Sequence, residues 1–322
     1  MNLNEIAHRI FDIQSEIAFE KIALDVFQYQ YKECSVYRKY CDLLRVSSNH
    51  VSQIVDIPFL PIQFFKTHKI KSSEFKEEQV FTSSGTTGIS TSKHFVRELK
   101  LYEKSFLKTF ESFYPNWKES TIIGLLPSYL ERTGSSLIYM VDYFIKHSEC
   151  DNSKFQLELS SEFLHFLEDD KTPKIMFGVT FALLELAEKG IKPRNTTIIE
   201  TGGMKGRGKE ITRQQLHDIL ESSLSPKAIH SEYGMTELLS QSYLQKDYFT
   251  SPSWMRPLVR ETTDPLNVKT EGKGALNFID LANINSCSFI ATDDLGIVIN
   301  GKFKVSGRID HSEIRGCNLL VI

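Results

Sequence analysis

A run of hydroxyls around two glycines constrains this chain more than any other feature. In FTSSGTTGISTSKHF (81–95), Thr82, Ser83, Ser84, Thr86 and Thr87 surround Gly85 and Gly88, directly after the strand-like residues Gln79–Phe81. A Ser/Thr/Gly run of this kind is most simply a loop. Glycine permits positive φ and lets backbone N–H groups approach a ligand closely. Successive N–H groups flanked by hydroxyls form a concave site for an anion such as a polyphosphate. No Gly-Lys-Ser/Thr closes the run, which excludes a Walker A loop. A plain surface loop is the rival reading of the same residues.

The rest of the chain has enough material to build a fold around that loop. Its 322 residues, 41% of them hydrophobic, suffice for one large α/β domain or two smaller ones. The formal net charge of -3 gives no electrostatic reason to expect nucleic acid or an anionic membrane as partner. The opening MNLNEIAHRIFDIQSEIAFE has early acidic residues and no continuous apolar stretch, unlike a secretory signal. No run of about 18 apolar residues predicts a membrane span. Five scattered cysteines, Cys34, Cys41, Cys150, Cys287 and Cys317, form neither a CxxC pair nor a zinc-ligand spacing. Reduced thiols and a cytoplasmic location are expected.

Residues 3–45 are predicted helical, from Ile6, Ile10, Ile13 and Ile17 and then Ile22, Leu24, Val26 and Phe27. The aromatic stretch Phe27–Tyr40 reads as packing surface, and Pro58 and Pro61 make PFLPIQFFK an extended connector. From Val80 onward, β-prone runs (Thr121–Leu126, Lys174–Phe177, Thr197–Glu200) alternate with helical stretches near 98–113, 135–147, 180–189 and 209–223. The last fifty residues predict a meander, Ala275–Asp280, Ser288–Thr292, Ile297–Asn300 and Phe303–Val305, with turns at Asp293–Gly296 and Asn300-Gly301. The expectation is one α/β domain, 1–322: a helical N-terminal region (1–55), an α/β core (56–270) and a β-rich C-terminal section (271–322).

SSGTTG resembles the phosphate loop of the adenylate-forming superfamily: acyl-CoA synthetases, firefly-type luciferases and peptide-synthetase adenylation domains. Ser90-Thr91 stand where that family has Pro-Lys, and Lys93 comes two residues later. HSEYGMTE (230–237) resembles its YGxTE motif, ATDDLG (291–296) its TGDLG motif, and SGRID (306–310) its GRxD motif. Taken alone, the first is a turn opening a helix and the other two are hairpin turns. The resemblance implies that Ser83, Ser84, Gly85, Thr86, Thr87 and Gly88 hold phosphates. It implies that Tyr233 offers a flat face to adenine beside Gly234, Thr236 a hydroxyl to the α-phosphate and Glu237 a carboxylate to Mg²⁺. It implies likewise that Asp294, rather than Asp293, accepts from both ribose hydroxyls. Arg308 would bind ribose or phosphate oxygens through its planar fork. In IIETGGMKGRG (198–208), Gly202 and Gly203 fit the place where adenine approaches the backbone; a tight turn is the rival there.

IPFLPIQFFKTHKIKS (57–72), LLPSYLERTGSSLIYMV (125–141), ETGGMKGRG and EIRGC (313–317) narrow the resemblance to the acyl-protein synthetase (LuxE-like) family, a sister group of phenylacetate-CoA ligases. That resemblance implies an adenylate-forming fold of the N-terminal-domain type, with mixed sheets flanked by helices. No mobile C-terminal lid is expected, because only fourteen residues follow Arg308. It implies that ATP and Mg²⁺ convert a carboxylic acid, a fatty acid first of all, into acyl-AMP. Cys317, as a thiolate favoured by Arg315, would then take the acyl group as a thioester. Packing is the alternative role for Cys317. An acyl-accepting or reductase protein is the implied partner. Tyr129 and Arg132 fall near the acyl pocket of the superfamily, Ser135 or Ser136 is expected to cap a helix, and His94 and His230 read as polar packing. The rival functions are an acyl- or aryl-CoA ligase-like enzyme passing the acyl group to CoA or a carrier protein, and a non-catalytic acyl or nucleotide sensor. No GxSxG elbow supports a serine hydrolase.

Overall fold

The computed structural model describes residues 6, 9–83, 91–127, 134–202 and 211–309. The chain forms two compact units, the first from Met1–Glu74 with Ser253–Ile322 and the second from Phe75–Pro252.

In the first unit, the predicted helical region resolves into α1 (Glu16–Glu33) and α2 (Ser35–Leu43), separated by the extended backbone of Cys34. Ser15 caps α1 by accepting from the Ala18 amide at 3.2 Å. Phe19, Ile22, Ala23, Val26 and Phe27 form the buried stripe of α1 at helical spacing. Gln30 continues that stripe, and a buried amide must be paired. Its nitrogen donates to the carbonyls of Asn283 (3.0 Å) and Ile284 (3.1 Å), and its oxygen accepts from the Ser288 amide (2.9 Å). The aromatic stretch packs as expected, with the Tyr37 and Phe289 rings stacked at 5.9 Å. The connector PFLPIQFFK becomes a two-residue strand, β1 (Leu60–Pro61), and a single helical turn, α3 (Phe64–Thr67).

The second unit opens with a hairpin, β2 (Gln79–Thr82) against β3 (Lys93–Val96). Then come α4 (Leu99–Phe113), β4 (Thr121–Leu125), α5 (Ser136–His147), β5 (Lys154–Phe155), α6 (Ser161–Asp169) and β6 (Lys174–Val179). The alternation continues with α7 (Thr180–Ala187), β7 (Thr196–Thr201), α8 (Arg213–Leu224) and β8 (Ala228–Tyr233). Strands β5-β4-β6-β7-β8 lie side by side and parallel, and β9 (Ser242–Leu244) and β10 (Phe249–Thr250) extend the sheet antiparallel. Every residue of β4 and β6 is buried, as parallel strands covered on both faces require. Ser135 caps α5, accepting from the Ile138 amide at 3.3 Å, as the sequence predicts.

The chain then returns to the first unit as β11 (Met255–Arg260), β12 (Val268–Lys269), β13 (Gly272–Asp280), β14 (Phe289–Ile299) and β15 (Lys302–Arg308). These pair antiparallel in the order β12-β11-β13-β14-β15, with β1 parallel on β14. Asn300 and Gly301 turn β14 into β15 with positive φ at both residues, 50° and 69°. The turn predicted at Asp293–Gly296 does not form; those residues lie inside the single eleven-residue strand β14. Bulges replace it. Opposite β13 the register passes from Ala275↔Leu295 to Asn277↔Ala291, and opposite β15 from Leu295↔Gly307 to Gly296↔Val305. Among the described residues, no helix is long and apolar enough to cross a membrane.

Candidate functional site

Open α/β sheets bind ligands beyond the carboxyl ends of their strands, and the second unit gathers its motif residues there. β7 and β8 are parallel neighbours, with Glu200 opposite Ser231, so their carboxyl ends lie side by side. β7 runs into Gly202, whose φ of 71° suits glycine, and β8 runs into Gly234. Between them stands Glu232, half-buried, whose Oε2 accepts from the Thr201 hydroxyl at 2.6 Å. A Cβ on Gly234 would lie 2.2 Å from Glu232 Oε1, so the glycine makes room for that carboxyl. Burial pushes the Glu232 carboxyl up to about 7, against the lowering effect of the Thr201 hydroxyl, and Glu200 adds to the rise.

The Tyr233 ring is 8% exposed and packs 5.7 Å from Phe249. The other neighbours of Phe249 include the Arg213 guanidinium, 4.8 Å from its ring centre, and Arg213 Nε donates to Glu200 at 3.0 Å. Beyond Gly234 the chain makes an irregular turn, closed by the Leu238 amide on the Met235 carbonyl at 3.1 Å. No helix opens there, so the simple alternative for this motif is not what forms. Thr236 is half-buried on the turn, and Glu237 is 6% exposed.

The hydroxyl run lies in sequence between β2 and β3, whose ends are described up to Ser83 and from residue 91. Its base is closed twice: the Ser83 amide donates to the Ser92 carbonyl (3.1 Å), and the Ser92 amide donates to Ser83 Oγ (2.9 Å). The Thr82 amide donates to the Gly134 carbonyl at 2.8 Å, which ties the hairpin to the segment following β4. His94 Nδ1 lies 2.8 Å from the carbonyl oxygen of Thr236. Ser84, Gly85, Thr86, Thr87, Gly88, Gly203, Tyr129, Arg132 and Cys317 lie outside the described residues.

In the first unit, Asp294 and Arg308 face each other in register, with Arg308 Nε 3.0 Å from Asp294 Oδ1. Asp293 is committed elsewhere: Gln63 Nε2 donates to both of its carboxylate oxygens, at 2.7 and 2.8 Å. A bulge leaves backbone groups without ladder partners, and side chains supply them. Thr292 Oγ1 donates to the Leu276 carbonyl (2.8 Å) and accepts from the Asp294 amide (3.2 Å). Arg260, 9% exposed, donates to the carbonyls of Leu276 (3.1 Å) and Thr292 (2.5 Å) and to Asn277 Oδ1 (2.6 Å).

Cys34, Cys41 and Cys287 are buried, and burial raises all three thiols, Cys41 to about 12, which fits packing. Among the described residues, no group of three or more His, Cys, Asp or Glu gathers to hold a metal ion. His230 meets the Tyr114 hydroxyl at 2.9 Å, as polar packing predicts. Sequence reasoning passed over Glu232, Arg260 and Gln63. A charged residue inside a β-prone run, as Glu232 and Arg260 are, was the available signal.

Residues 8–101 match the family model described as acyl-protein synthetase, LuxE. A long-chain-fatty-acid–luciferin-component ligase of Photorhabdus luminescens is 42% identical over 82 residues, which cover 25% of this chain and 69% of that protein. The enzymes of the same name from Aliivibrio fischeri and Vibrio harveyi are 25% and 24% identical, over 89% and 86% of this chain and 81% and 78% of theirs. Among solved structures, O-succinylbenzoate coenzyme A synthetase (MenE) from Bacillus subtilis, in complex with ATP and magnesium ion, is similar with a TM-score of 0.46 at 16% identity, covering 74% of this chain. The chain spans about half the length of that structure, 53%. CmiS6 is similar with a TM-score of 0.48 at 12% identity, over 80% of this chain and 66% of that one. The strong match to the Photorhabdus protein and the family model agree: the chain belongs to the acyl-protein synthetase (LuxE) family.

Proposed function

We propose that this chain is an ATP-dependent acid–thiol ligase that activates a long-chain fatty acid as acyl-AMP and carries the acyl group on Cys317. The observation that most supports this reading is the meeting, at one carboxyl edge of a parallel sheet, of the hydroxyl-loop stem with the turn bearing Thr236 and Glu237. Relatives named as long-chain-fatty-acid–luciferin-component ligases supply the substrate class.

In this reading, Ser83, Ser84, Gly85, Thr86, Thr87 and Gly88 hold the phosphates with backbone amides and hydroxyls. Tyr233, Gly234, Gly202 and Gly203 frame adenine, Asp294 accepts from the ribose hydroxyls and Arg308 donates to ribose or phosphate oxygens. A single buried carboxylate, Glu237, suits Mg²⁺, which takes one or two protein carboxylates and completes its shell with phosphate oxygens and water. The ion would offset charge on the leaving pyrophosphate. The fatty-acid carboxylate oxygen attacks the α-phosphorus and the bond to the β-phosphate oxygen breaks. No base is needed, because this nucleophile is already ionised. Thr236 and the loop amides stabilise the charge that develops. The Cys317 thiolate then attacks the acyl carbon, the bond to the AMP oxygen breaks, and AMP leaves. An acyl-accepting protein, a reductase among the candidates, would discharge the thioester.

Incubation with ATP, Mg²⁺ and labelled long-chain fatty acid tests the reading. Label should join the protein, survive acid, be released by hydroxylamine and disappear in Cys317→Ala. Label that moves only when CoA or a carrier protein is added would instead establish the acyl- or aryl-CoA ligase-like alternative.

A further inference from the structure

We infer that His94 is a positioning residue, which locks the turn bearing Thr236 and Glu237 to the stem of the hydroxyl loop. The inference rests on the nucleotide role proposed for that turn and adds a residue to it. His94 lies on β3, opposite Phe81 and two residues after Ser92, whose bonds with Ser83 close the base of the loop. Its ring is 1% exposed and its Nδ1 is 2.8 Å from the Thr236 carbonyl oxygen. A carbonyl oxygen only accepts, so Nδ1 carries the proton. Burial holds the ring neutral, with its pKa lowered to about 4, so the donor is the uncharged Nδ1–H tautomer.

The turn that receives this bond is neither helix nor strand. No ladder fixes its path, and the buried His94 donor holds it at the Thr236 carbonyl, next to the Thr236 hydroxyl and the Glu237 carboxylate. Further along, Ser240 Oγ meets Ser105 Oγ of α4 at 3.0 Å, which steadies the end of the turn but not its start. On the other side, the hairpin is tied to Gly134 through the Thr82 amide. Stem and turn are thus joined by a buried bond. Without His94, this bond between the stem of the proposed phosphate loop and the turn bearing the carboxylate assigned to the ion is lost. Displacement of such groups by 1 Å costs about a hundredfold in rate.

Three variants test the inference, each read by calorimetric binding of ATP across a Mg²⁺ titration and by acid-dependent ATP–pyrophosphate exchange. His94→Asn keeps an N–H near the place of Nδ1, His94→Gln moves it by one methylene, and His94→Phe removes it. In His94→Phe, the Kd for ATP and the half-saturating Mg²⁺ concentration should both rise about tenfold, while His94→Asn stays within about threefold of the parent protein. Reversible unfolding raises an apparent Kd only by the reciprocal of the folded fraction, so circular dichroism of each variant fixes that fraction and the constants are corrected by it before comparison. Should His94→Phe fail to fold, His94→Gln carries the comparison, with constants expected between those of the parent and the tenfold rise. Parental constants in folded His94→Phe or His94→Gln overturn the inference. A parent chain that neither binds ATP nor exchanges pyrophosphate overturns the nucleotide role, and the inference with it.

Discussion

Arg308 stands directly opposite Asp294 across the β14–β15 pair, with its Nε 3.0 Å from the aspartate Oδ1. The arginine side chain is 71% exposed and the aspartate 11%. An ion pair this open to water contributes at most about 1 kcal/mol to stability. In the nucleotide role proposed above, the pair presents a carboxylate and a planar guanidinium together. Arg308→Lys keeps the charge and loses the fork. The variant should melt within about 3 °C of the parent, yet its KM for ATP in pyrophosphate exchange should rise about tenfold. Asp294→Asn should behave alike. A lowered Tm with an unchanged KM would leave the pair a purely structural contact.

Glu232 makes stability depend on pH in a direction opposite to an ordinary surface carboxylate. Its pKa is raised from 4.5 to about 7, chiefly by burial, so the folded chain holds a proton that the unfolded chain releases. Stability therefore falls as pH climbs from 4.5 to about 7 and levels off above. His94 acts in the reverse sense: its folded pKa of about 4 lies below 6.5, so its contribution is lost as pH drops through that range. Comparing Glu232→Gln with the parent isolates the first effect. Between about pH 5 and about pH 8, the variant should gain up to roughly 3 kcal/mol relative to the parent. A difference that stays constant across this range would mean that Glu232 ionises normally.

Where one periodicity spans a whole element, the sequence was enough. Helices Leu99–Phe113 and Ser136–His147 and strand Thr196–Thr201 fall where their patterns put them. Asp293–Gly296 misled because acidic residues before a glycine serve a turn and a bulge equally well. The choice was made by Arg260 and Gln63, which bond to Thr292 and Asp293 from 32 and 230 positions away in sequence. Helix Ser161–Asp169 buries only Phe163 and Leu167, too short a stripe to stand out. At the candidate site, the motif words were visible, but the residues that hold them were not. Glu232 acquires meaning only when β7 and β8 lie side by side, and His94 only when β3 reaches the turn after β8.

Arg260 bonds to both sides of the β13–β14 bulge. It donates to the carbonyls of Leu276 and Thr292 and to Asn277 Oδ1, and Thr292 is two residues from Asp294. Arg260→Met would leave the Thr292 carbonyl and the Asn277 oxygen buried without this donor, a cost of about 2–4 kcal/mol in urea unfolding. Under the ribose role proposed for Asp294, the KM for ATP should rise in the same variant. Arg260→Lys, with one ammonium in place of the fork, should fall between. Unfolding of Arg260→Met at the parental urea midpoint would show that the bulge stands without it.

Gly234 and Glu232 should be energetically coupled. A Cβ at position 234 would meet Glu232 Oε1 at 2.2 Å and Gln241 Cγ at 3.4 Å. Gly234→Ala must therefore swing the Glu232 carboxyl away and break its 2.6 Å bond from Thr201, at a cost of about 1–3 kcal/mol. Glu232→Ala also loses that bond but clears the space. In the double variant the new methyl has room, so its destabilisation should be smaller than the sum of the two single changes by about 1–2 kcal/mol. Urea unfolding of the four proteins measures the difference. Simple additivity would mean that the carboxyl does not occupy the space facing Gly234.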